Sequence, residues 1–317
     1  MNSLLEVKNL DVGYGKIEIV KNAEFSVEKG EILGIVGESG SGKSTLLKAI
    51  MQLSDTGVNI QQGNIYFQGK DLRNLSNEEK RAFRGSQMGV IFQNPGSSLN
   101  PLRRIKKQFI ETMQSHVKID KKEASERILS LLDKLNLKEG ERVLNSYPYE
   151  LSGGMNQRIA IALAMIMEPK LLLADEPTSA LDVTIQAQVV DEMMGLRERF
   201  GTAIVIISHN IGVVSKMADK IAVMYAGRIV EYGEKAEVIR NHRHPYTRAL
   251  LEAIPRLDGK RPVGLKGRPP TFNEVKCGCG FAGRCIHGCE ACRTRNQNLV
   301  KVAENHWTSC QHGCGVY

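Results

Sequence analysis

The sequence predicts an α/β protein in which a mostly parallel sheet is accompanied by an antiparallel β subdomain. Residues 31–36, 170–174 and 203–208 are buried-strand runs of apolar residues, and segments with helical periodicity separate them. Strands that alternate with helices are typical of a parallel sheet that is covered on both faces. Residues 4–9 and 16–28 alternate between apolar and polar side chains, as the strands of a half-exposed antiparallel sheet do.

The chain is long enough for one large and one small domain. Apolar positions recur at helical spacing in 124–135 and 157–167, so we expect a helical insertion over about 95–165. Glycine and proline become frequent after residue 254 and lead into a segment that holds all seven cysteines. We therefore expect one domain over 1–253 and a small cysteine-rich C-terminal extension over 254–317.

The composition excludes a disordered chain, a collagen-like repeat and a disulfide-stapled miniprotein. Of the 317 residues, 42% are hydrophobic and 25% are charged, which is the mixture of a globular protein with an ample core. Lys and Arg outnumber Asp and Glu by 43 to 35, but no basic stretch interleaves with aromatic residues, so nucleic-acid binding is not favoured. The N-terminus lacks the pattern of a secretory signal, and nowhere do about eighteen apolar residues run together. We expect a cytosolic chain, or one that sits against a membrane without crossing it.

A glycine-rich loop follows the first buried strand. Its sequence, GESGSGKS at residues 37–44, fits the P-loop pattern, and it opens a predicted helix, as that pattern requires. The glycines let successive N–H groups turn inward around phosphates, to which the helix N-terminus adds a positive dipole end. Lys43 is expected to reach the β- and γ-phosphates and Ser44 to bind Mg²⁺; the alternative is an ordinary glycine-rich turn. The predicted nucleotide-binding residues of this loop are Gly37, Ser39, Gly40, Gly42, Lys43, Ser44 and Thr45.

Two carboxylates end the second buried strand, which reads LLLADE at residues 171–176. A strand buried on both faces carries its functional groups at its carboxyl end, where a P-loop protein holds its metal. Asp175 is expected to lie on the Mg²⁺ side, and Glu176 to polarise the attacking water as a general base. The alternative is a pair of solvated acids that happen to follow the strand.

The segment LSGGMNQR at residues 151–158 resembles the signature motif of ATP-binding-cassette (ABC) ATPases. Ser152, Gly153 and Gly154 open a predicted helix and offer a second cluster of N–H groups for phosphate oxygens. The resemblance makes Ser152 and Gly154 nucleotide-binding residues and residues 1–253 an ABC ATPase domain. In this family two cassettes dimerise head to tail, and each ATP lies between one P-loop and the opposite signature motif. The chain is therefore expected to pair with itself or with a sibling.

Other residues match motifs of the same family in the same order. Gln93 corresponds to the Q-loop glutamine, which senses Mg²⁺ and water and couples to the membrane subunit, and residues 179–182 correspond to the D-loop. His209 corresponds to the switch histidine near the γ-phosphate. Tyr14 is positioned like the aromatic residue that stacks on adenine, although a lone tyrosine near a turn more often simply packs. Asn210 departs from the pattern, since relatives more often carry Asp after the histidine.

Three segments resemble the ATP-binding subunits of oligopeptide/dipeptide permeases, a group that includes nickel and metallophore importers. They are residues 93–101, residues 244–250 (HPYTRAL) and the cysteine-rich tail. The resemblance implies an ATPase subunit at the cytoplasmic face of the membrane, working with a related but distinct second ATPase, two transmembrane permease subunits and an extracytoplasmic substrate-binding protein. Peptides are the expected substrate and nickel or a metal chelate the alternative. A soluble ABC ATPase and an inactive cassette are the competing hypotheses.

Four cysteines within about thirty residues offer thiolates to one metal centre. These are Cys279, Cys285, Cys292 and Cys310. The permease resemblance implies a [4Fe–4S] cluster, whereas the chemistry of four thiolates suits zinc equally well, and free thiols are the remaining alternative. The extra cysteines and nearby histidines leave the ligand set open: Cys277, Cys289, Cys314, His287, His306 and His312.

Overall fold

The computed structural model describes residues 3–53, 56–94, 98–137, 139–179, 181–254, 264–275, 277–295 and 297–310. The strands of these residues are, in chain order, β1 (Leu5–Tyr14), β2 (Ile17–Val27), β3 (Ile32–Val36), β4 (Val58–Phe67), β5 (Lys70–Asp71), β6 (Met88–Ile91), β7 (Leu171–Asp175), β8 (Ala203–Ser208), β9 (Lys220–Tyr225), β10 (Arg228–Glu234), β11 (Val300–Ala303) and β12 (His306–Thr308). The helices are α1 (Lys43–Ile50), α2 (Asn77–Ser86), α3 (Ile105–Gln114), α4 (Lys121–Lys134), α5 (Gly140–Asn145), α6 (Gly153–Met165), α7 (Val183–Phe200), α8 (Ile211–Met217), α9 (Lys235–Arg240), α10 (Pro245–Glu252) and α11 (Glu290–Thr294). The predicted α/β class with an antiparallel subdomain is confirmed.

The chain forms two compact units. The first comprises residues 1–74 and 207–317, and the second comprises residues 75–206. This division follows the chain's internal contacts, and the boundary expected between residues 253 and 254 stays a prediction. No helix of the described ranges is both long enough and apolar enough to cross a lipid bilayer.

The first unit contains an antiparallel sheet with strand order β2-β1-β4-β5. Strand β1 pairs with β2 on one side, where Leu5 lies opposite Val27, and with β4 on the other, where Leu5 lies opposite Phe67. Leu5, Val27 and Phe67 are all buried, so the apolar face of the alternating pattern closes the core of this sheet.

A second sheet of the first unit carries the glycine-rich loop. Within this unit its strand order is β11-β12-β10-β9-β3, and β3 runs parallel to β9. Every residue of β3 is buried, as its continuous apolar run predicts. Helix α8 packs against β3 at Gly34, where a Cβ atom would lie 2.0 Å from a methyl carbon of Val214.

The second unit contains the helices of the predicted insertion and the strand that ends in carboxylates. Strand β7 lies between β8 and β6, and β6 runs parallel to β7 with Ile91 opposite Ala174. Helix α4 begins after Asp120, whose carboxylate accepts hydrogen bonds from the amides of Lys122 and Glu123. Its buried residues are Ala124, Ile128, Leu131 and Leu132, which is the spacing that predicted this helix.

A buried carboxylate joins the C-terminal hairpin to the rest of the first unit. Strand β12 pairs with β10, and Glu231 of β10 is completely buried. Its carboxylate accepts hydrogen bonds from Nε2 of His306 at 2.8 Å and from the amides of Arg243 at 2.5 Å and His244 at 3.1 Å. These donors lie in β12 and in the segment 243–244, so the Glu231 carboxylate links both of them to β10.

We expect Glu231→Ala to lower the free energy of unfolding by about 3 kcal/mol, because it leaves buried N–H donors without an acceptor. Glu234→Ala is the matched control, since Glu234 accepts from the Asn305 side chain at 2.8 Å between the same two segments but in an exposed position. Glu234→Ala should lower the free energy of unfolding by about 1 kcal/mol or less. Urea unfolding of both variants measures the difference, and equal losses would contradict the role assigned to Glu231.

Candidate functional site

The P-loop lies where the sequence places it, between β3 and α1. Helix α1 begins at Lys43 after Gly42, whose φ of 100° requires glycine. Ser39, Gly40 and Ser44 are exposed. The first turn of α1 therefore presents accessible groups at a helix N-terminus, which is a favourable position for phosphate oxygens.

Lys43 folds back onto the backbone of its own loop. Its ammonium donates hydrogen bonds to the carbonyl oxygens of Gly37 at 2.8 Å and Glu38 at 2.9 Å and lies 3.4 Å from Oγ of Ser41. The residue is buried. A buried ammonium is stable only when it is well hydrogen-bonded, so these oxygens hold the lysine within the loop.

The loop packs directly against the strand next to it. A Cβ atom on Gly37 would lie 2.1 Å from the carbonyl oxygen of Met224 in β9 and 2.9 Å from Oγ of Ser41. The amide of Gly227 donates to the carbonyl of Ser41 at 3.0 Å. The missing side chain at Gly37 is thus what allows the loop to approach β9 so closely.

A P-loop residue also contacts the C-terminal extension, which the sequence reasoning did not anticipate. The carboxylate of Glu38 forms an ion pair with the guanidinium of Arg284, at 2.6 Å between Nη1 and Oε2. The amide of Glu38 donates to the hydroxyl of Tyr246 at 2.8 Å. Neither partner belongs to a recognised nucleotide-binding motif, and 246 residues separate Arg284 from Glu38, so no spacing rule signals the contact.

Tyr14, predicted to stack on adenine, ends β1 in a half-buried position. It lies opposite Ile17 of β2 and Val58 of β4, and its ring is 3.7 Å from a Cβ position on Gly57. The stacking role stays a prediction.

In the second unit, the structure brings two predicted residues together. The side-chain amide of Gln93 donates to Oε2 of Glu176 at 3.2 Å. Because β6 and β7 are parallel neighbours, Gln93 follows the carboxyl end of one strand and Asp175 and Glu176 the carboxyl end of the other. Both carboxylates are half-buried.

The backbone at Glu176 is held in an uncommon conformation. Its φ is 47°, in the left-handed region that a non-glycine residue seldom occupies. Its carbonyl accepts hydrogen bonds from the amide of Ser179 at 3.2 Å and from Oγ of Ser179 at 3.1 Å. Strain of this kind persists only where surrounding contacts fix it, and it is common at functional sites.

The predicted signature motif forms the N-terminus of α6. Ser152 is the N-cap, and its Oγ accepts a hydrogen bond from the amide of Met155 at 3.3 Å. Ser152 and Gly153 are exposed, and a Cβ atom on Gly153 would meet nothing within 4 Å. Gly154 is more restricted, because its Cβ would lie 3.3 Å from Ile185. The accessible end of α6 is thus a second helix N-terminus with space in front of it.

The remaining family motifs also lie at helix starts. Asp182 of the D-loop caps α7 by accepting from the amides of Thr184 and Ile185, both at 3.0 Å; Ala180 lies outside the described residues. His209 is exposed after β8, and Asn210 caps α8 by accepting from the amide of Gly212 at 2.9 Å. Asparagine and aspartate are both favoured at this position of a helix, so Asn210 supplies a cap that aspartate could also supply.

The cysteine-rich extension holds its thiols close to one another. The amide of Cys279 donates to the carbonyl of Cys292 at 2.7 Å, an approach that Gly278 permits, because a Cβ there would lie 2.5 Å from the same carbonyl oxygen. Burial raises the pKa of the Cys279 thiol to about 11, and the thiols of Cys310, Cys292 and Cys285 act in the same direction. The other three predicted ligands therefore all act on the Cys279 thiol.

Another thiol joins this group. Sγ of Cys289 lies 3.5 Å from Sγ of Cys292, and the backbone amide of Cys292 lowers the pKa of Cys289. Within the described ranges, no three His, Cys, Asp or Glu side chains are grouped tightly enough for a single metal ion. His312 and Cys314 lie outside the described residues.

Two family models match the chain in succession. The model described as ABC transporter matches residues 20–179, and the model described as oligopeptide/dipeptide transporter, C-terminal region, matches residues 230–292.

Curated relatives match over most of their length. The oligopeptide transport ATP-binding protein OppD of Haemophilus influenzae is 43% identical over 299 residues, covering 92% of this chain and 92% of the relative. OppD of Bacillus subtilis is 42% identical, with 96% of this chain and 87% of the relative covered. The dipeptide transport ATP-binding protein DppD of Lactococcus lactis is 44% identical, with 89% of this chain and 82% of the relative covered.

Solved structures share the fold over about three quarters of the chain. The cbiO1 protein of Clostridium perfringens, described as part of an ABC transporter complex, matches with a TM-score of 0.67 and 26% identity over 76% of this chain and 93% of its own. A dimeric ATP-binding cassette in a post-hydrolysis state with ADP and Pi matches with a TM-score of 0.64 and 29% identity over 73% of this chain and 98% of its own.

We expect Gly37→Ala to lower the free energy of unfolding by about 3 kcal/mol, because the added carbon must displace backbone in β9. ATP binding should weaken with it, since the same loop holds Lys43. Gly153→Ala is the matched control for stability, because its Cβ meets open space at a helix start, and its unfolding midpoint should not fall. Thermal unfolding and titration with a fluorescent ATP analogue measure both effects. Wild-type stability of Gly37→Ala would refute the close packing of the loop.

Proposed function

This chain belongs to the ABC transporter family of ATP-binding proteins, and we propose that it is the ATP-hydrolysing subunit that powers peptide import. The order of the two family matches carries the proposal, because an ABC cassette is followed by the C-terminal region of oligopeptide and dipeptide transporters. Its curated relatives are named for oligopeptide and dipeptide transport.

ATP and Mg²⁺ are the cofactors of this proposal, and the residues present suit both. The hydroxyl of Ser44, the carboxylate of Asp175 and the amide oxygen of Gln93 are the hard oxygen donors that Mg²⁺ prefers. Lys43, already bound to two carbonyl oxygens, has the donors to bind phosphate oxygens instead. Bound Mg²⁺ supplies charge that neutralises the phosphates during transfer to water.

Glu176 is the proposed general base. Its carboxylate is oriented by the Gln93 amide, and its backbone is fixed through Ser179. A carboxylate held at a defined position can accept a proton from the attacking water without first reorganising. We assign Gln93 the role of linking this base to the Mg²⁺ side and His209 a contact with the γ-phosphate.

The two-cassette arrangement of the family defines the partners. Each ATP would lie between the P-loop of one cassette and the signature motif of the other, so Ser152 and Gly154 act on the nucleotide of a second ATPase subunit, for which we propose a related but distinct chain. Two transmembrane permease subunits and an extracytoplasmic substrate-binding protein complete the importer. The chain then lies peripherally on the cytoplasmic face of the membrane.

Uptake in cells that lack this gene tests the proposal. We expect wild type to restore uptake of labelled di- and tripeptides, Lys43→Ala to restore none, and Glu176→Gln to restore none while retaining ATP binding. Glu176→Gln is matched in size, and its amide oxygen can still accept from Gln93, so it removes the base and little else. The ATPase rate of the assembled complex should fall by about a hundredfold or more in both variants.

Each outcome of this experiment has a defined meaning. Radioactive nickel offered in parallel identifies nickel or a metal chelate as the substrate if only its uptake depends on Lys43. Normal ATP turnover by Glu176→Gln would remove the residue from the base role. If no uptake depends on Lys43, the importer proposal fails, and co-purification with ribosomes or DNA would then favour a soluble ABC ATPase.

For the extension we propose a structural [4Fe–4S] cluster held by Cys279, Cys285, Cys292 and Cys310, with zinc as the alternative. Thiolates on one zinc ion lie roughly 3.8 Å apart, given a Zn–S bond of about 2.3 Å. A cluster distributes its thiolates over separate irons and accepts wider spacing. The spacing of the four cysteines and the permease resemblance carry this proposal, and the hydrogen bond from the Cys279 amide to the Cys292 carbonyl at 2.7 Å brings two of the proposed ligands together. Such a group would cross-link the extension.

Metal analysis of the anaerobically purified protein tests this proposal. We expect about four irons and matching sulfide per chain, with visible absorbance that disappears in Cys279→Ser. Cys277→Ser is the matched control, because Cys277 is exposed and its thiol contacts the carbonyl of Arg293 instead. About one zinc per chain would identify the alternative, and a metal-free protein would refute both.

A further inference from the structure

An ion pair connects the cysteine-rich extension to the P-loop. Nη1 of Arg284 lies 2.6 Å from Oε2 of Glu38, and Nη2 lies 3.1 Å from Oε1, so the guanidinium and the carboxylate meet through two parallel hydrogen bonds. The side chain of Arg284 is 8% exposed and that of Glu38 is 25% exposed. A two-pronged contact of this kind restricts orientation as well as distance, and partial burial limits its screening by salt.

The guanidinium is itself fixed on several sides. Its Nε donates to the carbonyl of Lys266 at 2.8 Å, and its Nη1 donates to the hydroxyl of Tyr225 at 3.1 Å. Its central carbon lies 5.8 Å from the ring centroid of Tyr225 and 6.0 Å from that of Phe281. These contacts, which do not involve Glu38, hold the guanidinium in the orientation in which it binds the Glu38 carboxylate.

A second hydrogen bond reaches the same loop residue. The hydroxyl of Tyr246 accepts from the amide of Glu38 at 2.8 Å. Tyr246 is fully buried, and its ring packs against Tyr225 at 4.4 Å and against Phe281 at 5.4 Å between centroids. Tyr246 thus binds the backbone of Glu38 and Arg284 binds its side chain, and both of these partners pack against the rings of Tyr225 and Phe281.

Glu38 in turn holds the phosphate-binding lysine. Its carbonyl oxygen accepts from Nζ of Lys43 at 2.9 Å. We propose that Arg284 is a positioning residue for ATP binding: through Glu38 it fixes the P-loop in the conformation that presents Lys43 to the nucleotide. This inference rests on the proposed ATPase function and extends it to a residue of the cysteine-rich extension.

The proposal predicts an effect on nucleotide affinity more than on chemistry. Without Arg284 the P-loop is less ordered in the free protein and must become ordered when ATP binds. The free energy that this ordering requires weakens ATP binding. The base Glu176 is not altered, so turnover at saturating ATP should change little. An arginine that only docks the extension would alter stability and leave the ATP affinity of the folded protein unchanged.

The experiment compares Arg284→Gln, Glu38→Gln and the double variant in the assembled transporter. We expect each single change to raise the Kd and the KM for ATP about tenfold, with kcat within about threefold of wild type. Because both residues act through one contact, the double variant should match either single variant rather than multiply their effects. Arg284→Lys, which keeps the charge but loses the planar fork, should give an intermediate KM.

Arg268→Gln is the matched control. Nη2 of Arg268 lies 2.9 Å from Oε1 of Glu274 in the same extension, but this pair is exposed and has no contact with the P-loop among the described residues. Its Kd for ATP should equal that of wild type. If Arg284→Gln fails to assemble, Glu38→Gln and Arg284→Lys still decide the question through their KM values.

Two results would overturn the inference: a wild-type Kd for ATP in folded Arg284→Gln, or multiplicative effects in the double variant. Both are distinct from failure of the proposed function, in which the wild-type complex itself shows no ATP hydrolysis that depends on Lys43.

Discussion

The predicted phosphate-binding site depends on the backbone of the P-loop, which is packed against the neighbouring strand β9. Strand β3 is buried along its whole length and runs parallel to β9. The loop that follows β3 therefore begins at the carboxyl end of the sheet, beside β9. Gly37 then lets the loop lie directly on the carbonyl of Met224, and the Gly227 amide binds the loop from the same side. Lys43 closes the loop by binding two of its carbonyl oxygens. Together these contacts fix the position of the Lys43 ammonium within the loop.

Much of this arrangement is predictable from sequence, because it is local or periodic. Continuous apolar runs predicted β3, β7 and β8, and helical spacing predicted α4 and α6. The contact between Gln93 and Glu176 follows from parallel strands whose carboxyl ends meet at one edge. The spacing of four cysteines predicted thiolates within reach of one metal centre, and that ligand set stays a prediction.

Contacts between charged residues far apart in the sequence were not predictable, because charged side chains do not recur at a spacing that indicates their partners. Arg284 and Glu38 are 246 residues apart, and Glu231 and His306 are 75 apart. Each of these residues lies in a segment with several other charged or polar side chains. The three-dimensional structure is therefore needed to identify which of them form pairs. Cys289 shows the same limit on a smaller scale: its spacing does not set it apart from Cys277, yet its thiol lies 3.5 Å from that of Cys292.

The buried polar groups of the first unit form one connected path rather than separate contacts. Burial lowers the pKa of His244 to about 4, so its imidazole is neutral near neutral pH and Nδ1 can accept from the amide of Tyr246. The proton is then on Nε2, which lies 3.9 Å from Sγ of Cys279. The amide of His244 is bound by Glu231, and the hydroxyl of Tyr246 binds the amide of Glu38. Because every member is buried or half-buried and hydrogen-bonded, these groups form a continuous polar path from Cys279 to the backbone of the P-loop.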